Sequence, residues 1–195
     1  MAFVPDDYQD SWTLASSVFR RGVGLHSGEE SEVRIHPTDQ VGFHVSWLNN
    51  PDLVFTLKAD QVKDSVLCTC LELGYHNLST VEHLLAALSG YGLTHVHIEV
   101  SGEEIPLLDG SALGWIEAIK EAGIVSAASP RAPLIKLKEP LIFHRGKSVI
   151  SAVPSENFNI VGIIDFPYGA IGRQVLEIDV TPNSFINEIA PARTF

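Results

Sequence analysis

The stretch STVEHL, residues 79–84, places a carboxylate beside an imidazole at the start of a predicted helix. We predict this helix over residues 79–88, because apolar side chains recur there at helical spacing, namely Val81, Leu84, Leu85 and Leu88. At about 100° per residue, His83 lies nearly opposite this apolar stripe, and Glu82 lies between the two. Ala86 and Ala87 are small neighbours on that side, so another group could approach the Glu82–His83 pair closely.

Two interpretations of this pair remain open. Ser79 and Glu82 have the spacing of a capping box, in which the Glu82 carboxylate would only accept a hydrogen bond from a backbone N–H. Spacing alone favours this structural role over chemistry. A cation is electrostatically unfavourable in the first helical turn, so His83 is expected to be neutral and is a candidate metal ligand. A solvent-facing histidine fits the same pattern equally well.

Two further groups of residues are weaker candidates for a metal-binding or phosphate-binding site. His95 and His97 share one face of a predicted strand, a spacing that metals can use, but the polar face of an amphipathic strand is the better interpretation. The loop GVGLHSG, residues 22–28, lacks the spacing of a phosphate-binding or dinucleotide-binding loop. This argues against a nucleotide-dependent dehydrogenase, and we interpret the loop as a glycine turn that exposes His26.

The composition of the chain excludes several classes of protein and of partner. The chain has 24 acidic and 13 basic side chains and a net charge of −11, which argues against nucleic acid or an anionic membrane surface as partners. No stretch approaches the roughly 18 continuous apolar residues of a membrane span, and residues 1–10 do not resemble a signal peptide. Cys68 and Cys70 are poorly spaced for a disulfide and lack the second pair that a four-cysteine metal site needs. We therefore expect a soluble protein of the reducing cytoplasm.

Charge and pattern divide the chain into two parts. Up to Pro130 there are 18 acidic and 6 basic residues, and from Arg131 onward there are 6 and 7. The small, proline-containing segment 126–133 is predicted to link a first unit, residues 1–127, to the beginning of a second, residues 128–195. Strands are predicted from alternating or short apolar runs, at 32–36, 41–47, 94–100, 134–137, 147–153, 158–166 and 174–180. Besides the helix at 79–88, helices are predicted from about 111 to 123 and from about 183 towards Pro191.

Five blocks in this order resemble the UDP-3-O-acyl-N-acetylglucosamine deacetylases, the zinc amidases of lipid A biosynthesis. They are GVGLHSG (22–28), SVLCTCL (65–71), STVEHLLAAL (79–88), EIPLLDGSA (104–112) and PARTF (191–195). The resemblance runs from about Trp12 to the last residue, and STVEHL together with EIPLLDGSA is its most specific part. It implies an α+β fold of two similar two-layer units, each a sheet packed on two helices, with the second unit incomplete in this chain.

The resemblance also implies a reaction, the hydrolytic removal of the N-acetyl group from UDP-3-O-acyl-N-acetylglucosamine with zinc (Zn2+) as cofactor. His83 matches a zinc ligand, and Glu82 matches the general base that deprotonates the zinc-bound water. Thr194 matches a hydroxyl that helps to stabilise the tetrahedral oxyanion. The implied partner is this small-molecule substrate, an acylated UDP-sugar.

The resemblance also implies roles for residues outside the Glu82–His83 pair and Thr194. Leu67, Cys68 and Phe195 match residues that bind substrate, and His26 matches a histidine near the mouth of the site that can hold an additional, inhibitory zinc. A catalytic zinc needs three protein ligands, and the family supplies the other two from a later His-Lys-x-x-Asp motif that is absent from these 195 residues. The 195-residue chain alone is therefore expected to be inactive. The alternative is a non-catalytic UDP-sugar-binding fragment that lacks two zinc ligands.

Overall fold

The computed structural model describes residues 2–194 and has the α+β architecture expected from the sequence. The strands of its first part are β1 (Trp12–Leu14), β2 (Val18–Val23), β3 (Glu30–Pro37), β4 (Gly42–Trp47), β5 (Asn50–Thr56), β6 (Val62–Lys63), β7 (Cys70–Leu73), β8 (His76–Ser79), β9 (His95–Val100) and β10 (Ile124–Ser126). The later strands are β11 (Leu141–Arg145), β12 (Ser148–Ala152), β13 (Asn159–Asp165) and β14 (Arg173–Asp179). The helices are α1 (Glu82–Tyr91), α2 (Leu113–Ala122) and α3 (Pro182–Ser184), which continues as a π-helical turn at Phe185–Ile189; a 3-10 turn lies at Ala59–Gln61.

The main sheet is built around β9. On one side β9 pairs antiparallel with β3, and on the other it pairs parallel with β4. β2 extends the sheet beyond β3 and β5 extends it beyond β4, while β1 and β10 complete the seven strands. The register aligns Ile98 with Ile35 and Val45, and all three are buried on the same face. The alternation that predicted these strands therefore corresponds to one buried face and one polar face.

Helices α1 and α2 pack their apolar stripes into the same core as the sheet. The largest contributions come from side chains that are at most 1% exposed, namely Leu84, Leu88, Trp115, Ile116 and Ile119. α1 ends at Gly92, which has a left-handed φ of 98° and donates its N–H to the carbonyls of Leu88 and Ser89, as helix-terminating glycines commonly do. The strands β6, β7 and β8 form a separate sheet whose last strand leads into α1.

The second part of the chain forms two hairpins. β11 pairs with β12 and β13 pairs with β14, and within residues 2–194 no other strand pairs with either hairpin. The predictions at 147–153, 158–166 and 174–180 are confirmed to within two residues, whereas β11 was not predicted. The predicted strand at 134–137 is wrong, because this segment is irregular and has no partner strand to complete its backbone hydrogen bonds; its Ile135 is 99% exposed.

The segment from α3 onward packs on α1. Phe185, Ile186 and Ala190 are buried and belong to the core cluster that contains α1 and α2. The Phe185 ring occupies the space where a Cβ of Gly90 would lie. The helix predicted from about residue 183 is thus confirmed, and its buried face belongs with the helices of the first part. The division of the chain at residues 127 and 128 stays a prediction.

The predicted linker lies against the first part of the chain. The Arg131 N–H donates to Ser11 Oγ over 2.7 Å, and Ser129 Oγ donates to the Asp39 carbonyl over 2.8 Å. Among the helices of residues 2–194, none combines the length and the apolarity required to cross a membrane.

Candidate active site

Glu82 is the first residue of α1, and its carboxylate binds a distant segment. Glu82 Oε2 accepts the Thr69 N–H over 3.0 Å, while the Val81 N–H approaches the Thr69 carbonyl at 3.4 Å. The capping box is therefore wrong: no side chain caps α1, and Ser79 Oγ instead contacts Cys70 Sγ at 3.4 Å. The reason is local, since Thr80 has a left-handed φ of 60°, which prevents the helix from beginning at residue 79.

His83 is partly exposed on the first turn of α1. Within residues 2–194 its ring makes no hydrogen bond or ion pair, so both nitrogens are available to a ligand. The face around it is less open than the sequence indicated. Ala86 is exposed as expected, but Ala87, one turn after His83, is fully buried. Only the N-terminal end of this helix face is therefore open to another group.

The Cys68 segment, residues 65–71, runs beside the start of α1. Leu67 has a left-handed φ of 60° and is 89% exposed, a conformation that costs free energy for a γ-branched residue. Cys68 is partly buried, Cys70 is buried, and both are free thiols. The segment is held by the Thr69–Glu82 hydrogen bond and by a short hydrogen bond from Ser65 Oγ to the Cys68 carbonyl. The strained Leu67 is thus presented at the surface two residues before Thr69, which binds Glu82.

The His26 loop, residues 22–28, is attached by its backbone. The N–H groups of His26 and Ser27 donate to the two carboxylate oxygens of Glu104 over 2.9 and 2.8 Å. The His26 side chain is exposed, and no partner of its ring is found within the described residues. The interpretation of this loop as a glycine turn with an exposed histidine agrees with this geometry, and Gly28 has a left-handed φ of 69°.

Thr194 lies beside the DGSA turn, residues 109–112. Its N–H donates to the Gly110 carbonyl over 2.9 Å, and its side chain is exposed. In the same turn the Ser111 hydroxyl donates to Asp109 Oδ1 over 2.8 Å. This hydrogen bond is the main reason that the pKa of Asp109 is lowered, and Arg193 adds a smaller electrostatic contribution. Phe195 lies outside the described residues, so its role in substrate binding stays a prediction.

Residues 104–112 contact three of the other four sequence blocks, and the fourth, residues 65–71, is joined through Glu82. A β-bridge pairs Glu104 with Ser79, and Glu104 also binds the His26 loop and the Thr80 hydroxyl. Gly110 holds the segment that ends in Thr194, and Glu82 holds the Cys68 segment. Segments far apart in the chain are therefore joined, directly or through residues 104–112, to the start of α1.

His95 and His97, the weaker metal candidates of the sequence, have structural partners. The His95 ring is fully buried and contacts the hydroxyls of Thr94 and Ser129 at 2.8 and 2.9 Å. His97 Nε2 lies 2.9 Å from Ser46 Oγ. Both rings lie on the sheet face opposite the apolar core, which agrees with the amphipathic-strand interpretation.

The described residues do not complete a metal site. Within residues 2–194 no three His, Cys, Asp or Glu side chains are close enough together to hold a metal ion. His83 has the chemistry and exposure of one zinc ligand, but a catalytic zinc needs three protein ligands.

Sequence reasoning missed Thr69 and Glu104, the residues that join the blocks. Glu104 lies in the EIPLLDGSA block, yet a glutamate beside a polar turn gives no signal that its side chain is buried. Thr69 contributes only its backbone, which no side-chain pattern reveals.

The fold and this arrangement define an α+β protein with a Glu–His pair presented on the first turn of a helix. A sequence model of the UDP-3-O-acyl N-acetylglycosamine deacetylases matches residues 11–195. The chain is 40% identical over 187 residues to the UDP-3-O-acyl-N-acetylglucosamine deacetylase of Thermosynechococcus vestitus, a match that covers 94% of this chain and 64% of the relative. The corresponding proteins of Trichormus variabilis and Oleidesulfovibrio alaskensis are 39% and 36% identical over 94% of this chain, which spans 68% and 60% of their lengths. The chain belongs to the UDP-3-O-acyl N-acetylglycosamine deacetylase family, and it spans about two thirds of the length of the curated relatives that it matches.

Proposed function

We propose that the full-length protein is a cytoplasmic zinc-dependent hydrolase that removes the N-acetyl group from UDP-3-O-acyl-N-acetylglucosamine, a step of lipid A biosynthesis. The observation that carries this proposal is the Glu82–His83 pair on the first turn of α1, which is partly exposed and whose carboxylate binds the Cys68 segment. The family membership supplies the substrate and the reaction class.

In this proposal Glu82 is the general base. One carboxylate oxygen is fixed by the Thr69 N–H at 3.0 Å, so the other oxygen is held in a defined direction and can accept a proton from an attacking water. A positioned carboxylate typically contributes a factor of about 10²–10⁴ to the rate. His83 would hold zinc with ligands that the described residues do not include, and zinc, when bound, lowers the pKa of its water and polarises the carbonyl.

The remaining residues have supporting roles in the proposal. Thr194, fixed through its backbone to Gly110, would donate its hydroxyl to the oxyanion. The exposed Leu67 and the adjacent Cys68 would line the substrate cleft together with Phe195. His26, at the surface of its loop, would hold an additional, inhibitory zinc.

The experiment that tests the proposal is Glu82→Gln in the full-length protein. Glutamine keeps an oxygen that can accept the Thr69 N–H, so the Cys68 segment stays attached while the base is lost. We expect kcat to fall by about 10²–10⁴-fold, with the zinc content unchanged. Glu117→Gln is the matched control, because Glu117 is an exposed carboxylate on α2. Unchanged turnover in the Glu82→Gln variant would show that Glu82 is not the base.

One observation favours a second candidate, a non-catalytic UDP-sugar-binding role for the 195-residue chain itself. No three-ligand metal group exists within the described residues. This role predicts binding of UDP-N-acetylglucosamine by the 195-residue chain in the presence of a chelator, measured by calorimetry. Absence of binding at millimolar ligand would exclude it.

A further inference from the structure

Glu104 is a buried carboxylate whose partners are all uncharged. It is 6% exposed. Its Oε1 accepts the His26 N–H over 2.9 Å and the Thr80 hydroxyl over 3.0 Å, and its Oε2 accepts the Ser27 N–H over 2.8 Å. Within residues 2–194 no ion pair involves this side chain. Glu104 therefore joins the His26 loop to the residues just before α1 without help from a basic side chain.

Glu104 remains ionised in this environment. Burial is the largest single influence on its pKa and acts to raise it, but the hydrogen bonds from His26, Ser27 and Thr80 together outweigh burial and lower the pKa to about 2. An ionised carboxylate only accepts hydrogen bonds, and the loop offers it only donors. Such charge-assisted hydrogen bonds are roughly twice as strong as neutral ones.

The glycine at position 24 fits this contact. A Cβ at Gly24 would overlap Glu104 Oε2 and Ser27 Oγ, so any larger residue would displace the carboxylate. Leu25 and His26 are exposed, which means that apolar packing does not hold the tip of the loop. Two further backbone hydrogen bonds hold residues 24–28. The Gly28 N–H donates to the Gly24 carbonyl and the Gly24 N–H donates to the Glu29 carbonyl, and both bonds are internal to the turn.

We propose that Glu104 is a positioning residue that fixes the His26 loop, and with it the exposed imidazole, beside the first turn of α1. Its backbone is anchored at the same place, because the Ser79 N–H donates to the Glu103 carbonyl and the Ile105 N–H donates to the Ser79 carbonyl, over 2.8 and 3.0 Å. The end of β8, the His26 loop and the start of α1 are thus held together as one unit. The effect of Glu104 on turnover rests on the proposed function, whereas its effect on the position of the His26 loop does not.

The structural part is tested by amide hydrogen exchange at His26 and Ser27 in the full-length protein. Glu104→Gln places an amide N–H2 against these donors, and Gly24→Ala displaces the carboxylate from the opposite side of the contact. We expect exchange at the two amides to accelerate about tenfold or more in both variants, with protection in β9 and α1 unchanged. The matched control is Glu103→Gln, which alters the exposed neighbour. The double variant is expected to resemble either single variant, since both remove one contact.

The functional part is tested by deacetylation kinetics and zinc analysis of the same variants. We expect kcat/KM to fall by about 10–100-fold, while the zinc content stays close to that of the Glu103→Gln control. Wild-type exchange rates at His26 and Ser27 in both variants would overturn the proposal. A loosened loop with full activity would overturn its functional part. A wild-type protein without deacetylase activity would remove the proposed function, and the exchange rates would still decide whether Glu104 holds the loop.

Discussion

His97 lies in a row of histidines on the polar face of the main sheet. The register places it between His36 on β3 and His44 on β4, and Glu99 lies two residues further along the same strand. Burial is the main cause that lowers the pKa of His97; Glu99 opposes it, whereas His36 and His44 reinforce it. The neutral ring is therefore the form that the folded protein favours.

This arrangement predicts a loss of stability in mild acid. Because the pKa of His97 is lower in the folded state than the value of about 6.5 in an unfolded chain, its contribution is complete above pH 6.5 and is lost as the pH falls through the lowered pKa. His97→Gln keeps a nitrogen close to Ser46 Oγ but does not titrate. We expect the free energy of unfolding of this variant to fall less between pH 7.5 and 5 than that of the wild type, as measured by urea denaturation. Parallel pH profiles for the two proteins would contradict the prediction; His95, whose pKa burial also lowers, contributes to the dependence that remains in the variant.

At this scale the sequence identified candidate residues but not their partners. Glu82 and His83 were identified because a carboxylate and an imidazole face away from an apolar stripe. The hydrogen bond from Thr69 to Glu82 spans 13 positions, and the bond from His26 to Glu104 spans 78. Such partners are set by strand pairing and helix packing, which a local pattern does not reveal.

At the scale of elements, the contact between α1 and the π-helical turn that continues α3 depends on Gly90. A glycine within a helix is normally unfavourable by roughly 0.5–1 kcal/mol relative to alanine. Here the Phe185 ring occupies the space of the missing Cβ, so close approach of the two helices requires the glycine.

Gly90→Ala is therefore expected to destabilise the protein by about 1–3 kcal/mol, although alanine is the better helix former. The measurement is the free energy of unfolding from chemical denaturation. The matched control is Ser89→Ala on the exposed face of the same helix, which should be neutral or slightly stabilising. A stabilised Gly90→Ala protein would mean that Phe185 does not pack at this position in solution.

The elements were predicted well where each face of a strand or helix meets a different environment. β3, β4 and β9 alternate because one face is buried; α2 follows from its apolar spacing, and its end follows from Gly123. The start of α1 was predicted too early because the left-handed Thr80 leaves no sequence signal. Residues 134–137 have an apolar composition but no partner strand, and composition alone cannot supply one.

At the scale of the whole molecule, the two hairpins expose many apolar side chains. Phe143 and Ile150 face each other across β11 and β12 and are 66% and 72% exposed. Val161, Val175 and Leu176 on the second hairpin are each more than half exposed. Exposed apolar strands with free edges are sites of self-association.

The 195-residue chain by itself is therefore expected to aggregate and to bind hydrophobic dyes. Phe143→Glu combined with Ile150→Lys replaces one apolar pair by an opposite-charge pair across the strands. We expect this variant to show a higher monomer fraction by size-exclusion chromatography and lower dye fluorescence than the parent chain. Lys147→Gln, in the exposed turn of the same hairpin, is the control and should change neither. A parent chain that is already monomeric and binds no dye would contradict this account of the hairpins.

The proposed function makes Glu82 and His83 part of a zinc-dependent deacetylase site. The most direct measurement is acetate release from UDP-3-O-acyl-N-acetylglucosamine by the full-length protein with bound zinc. We predict one acetate for each free amino group formed, and a loss of this activity in the Glu82→Gln variant at unchanged zinc content. Zinc-loaded wild-type protein that binds the substrate but releases no acetate would contradict the claim.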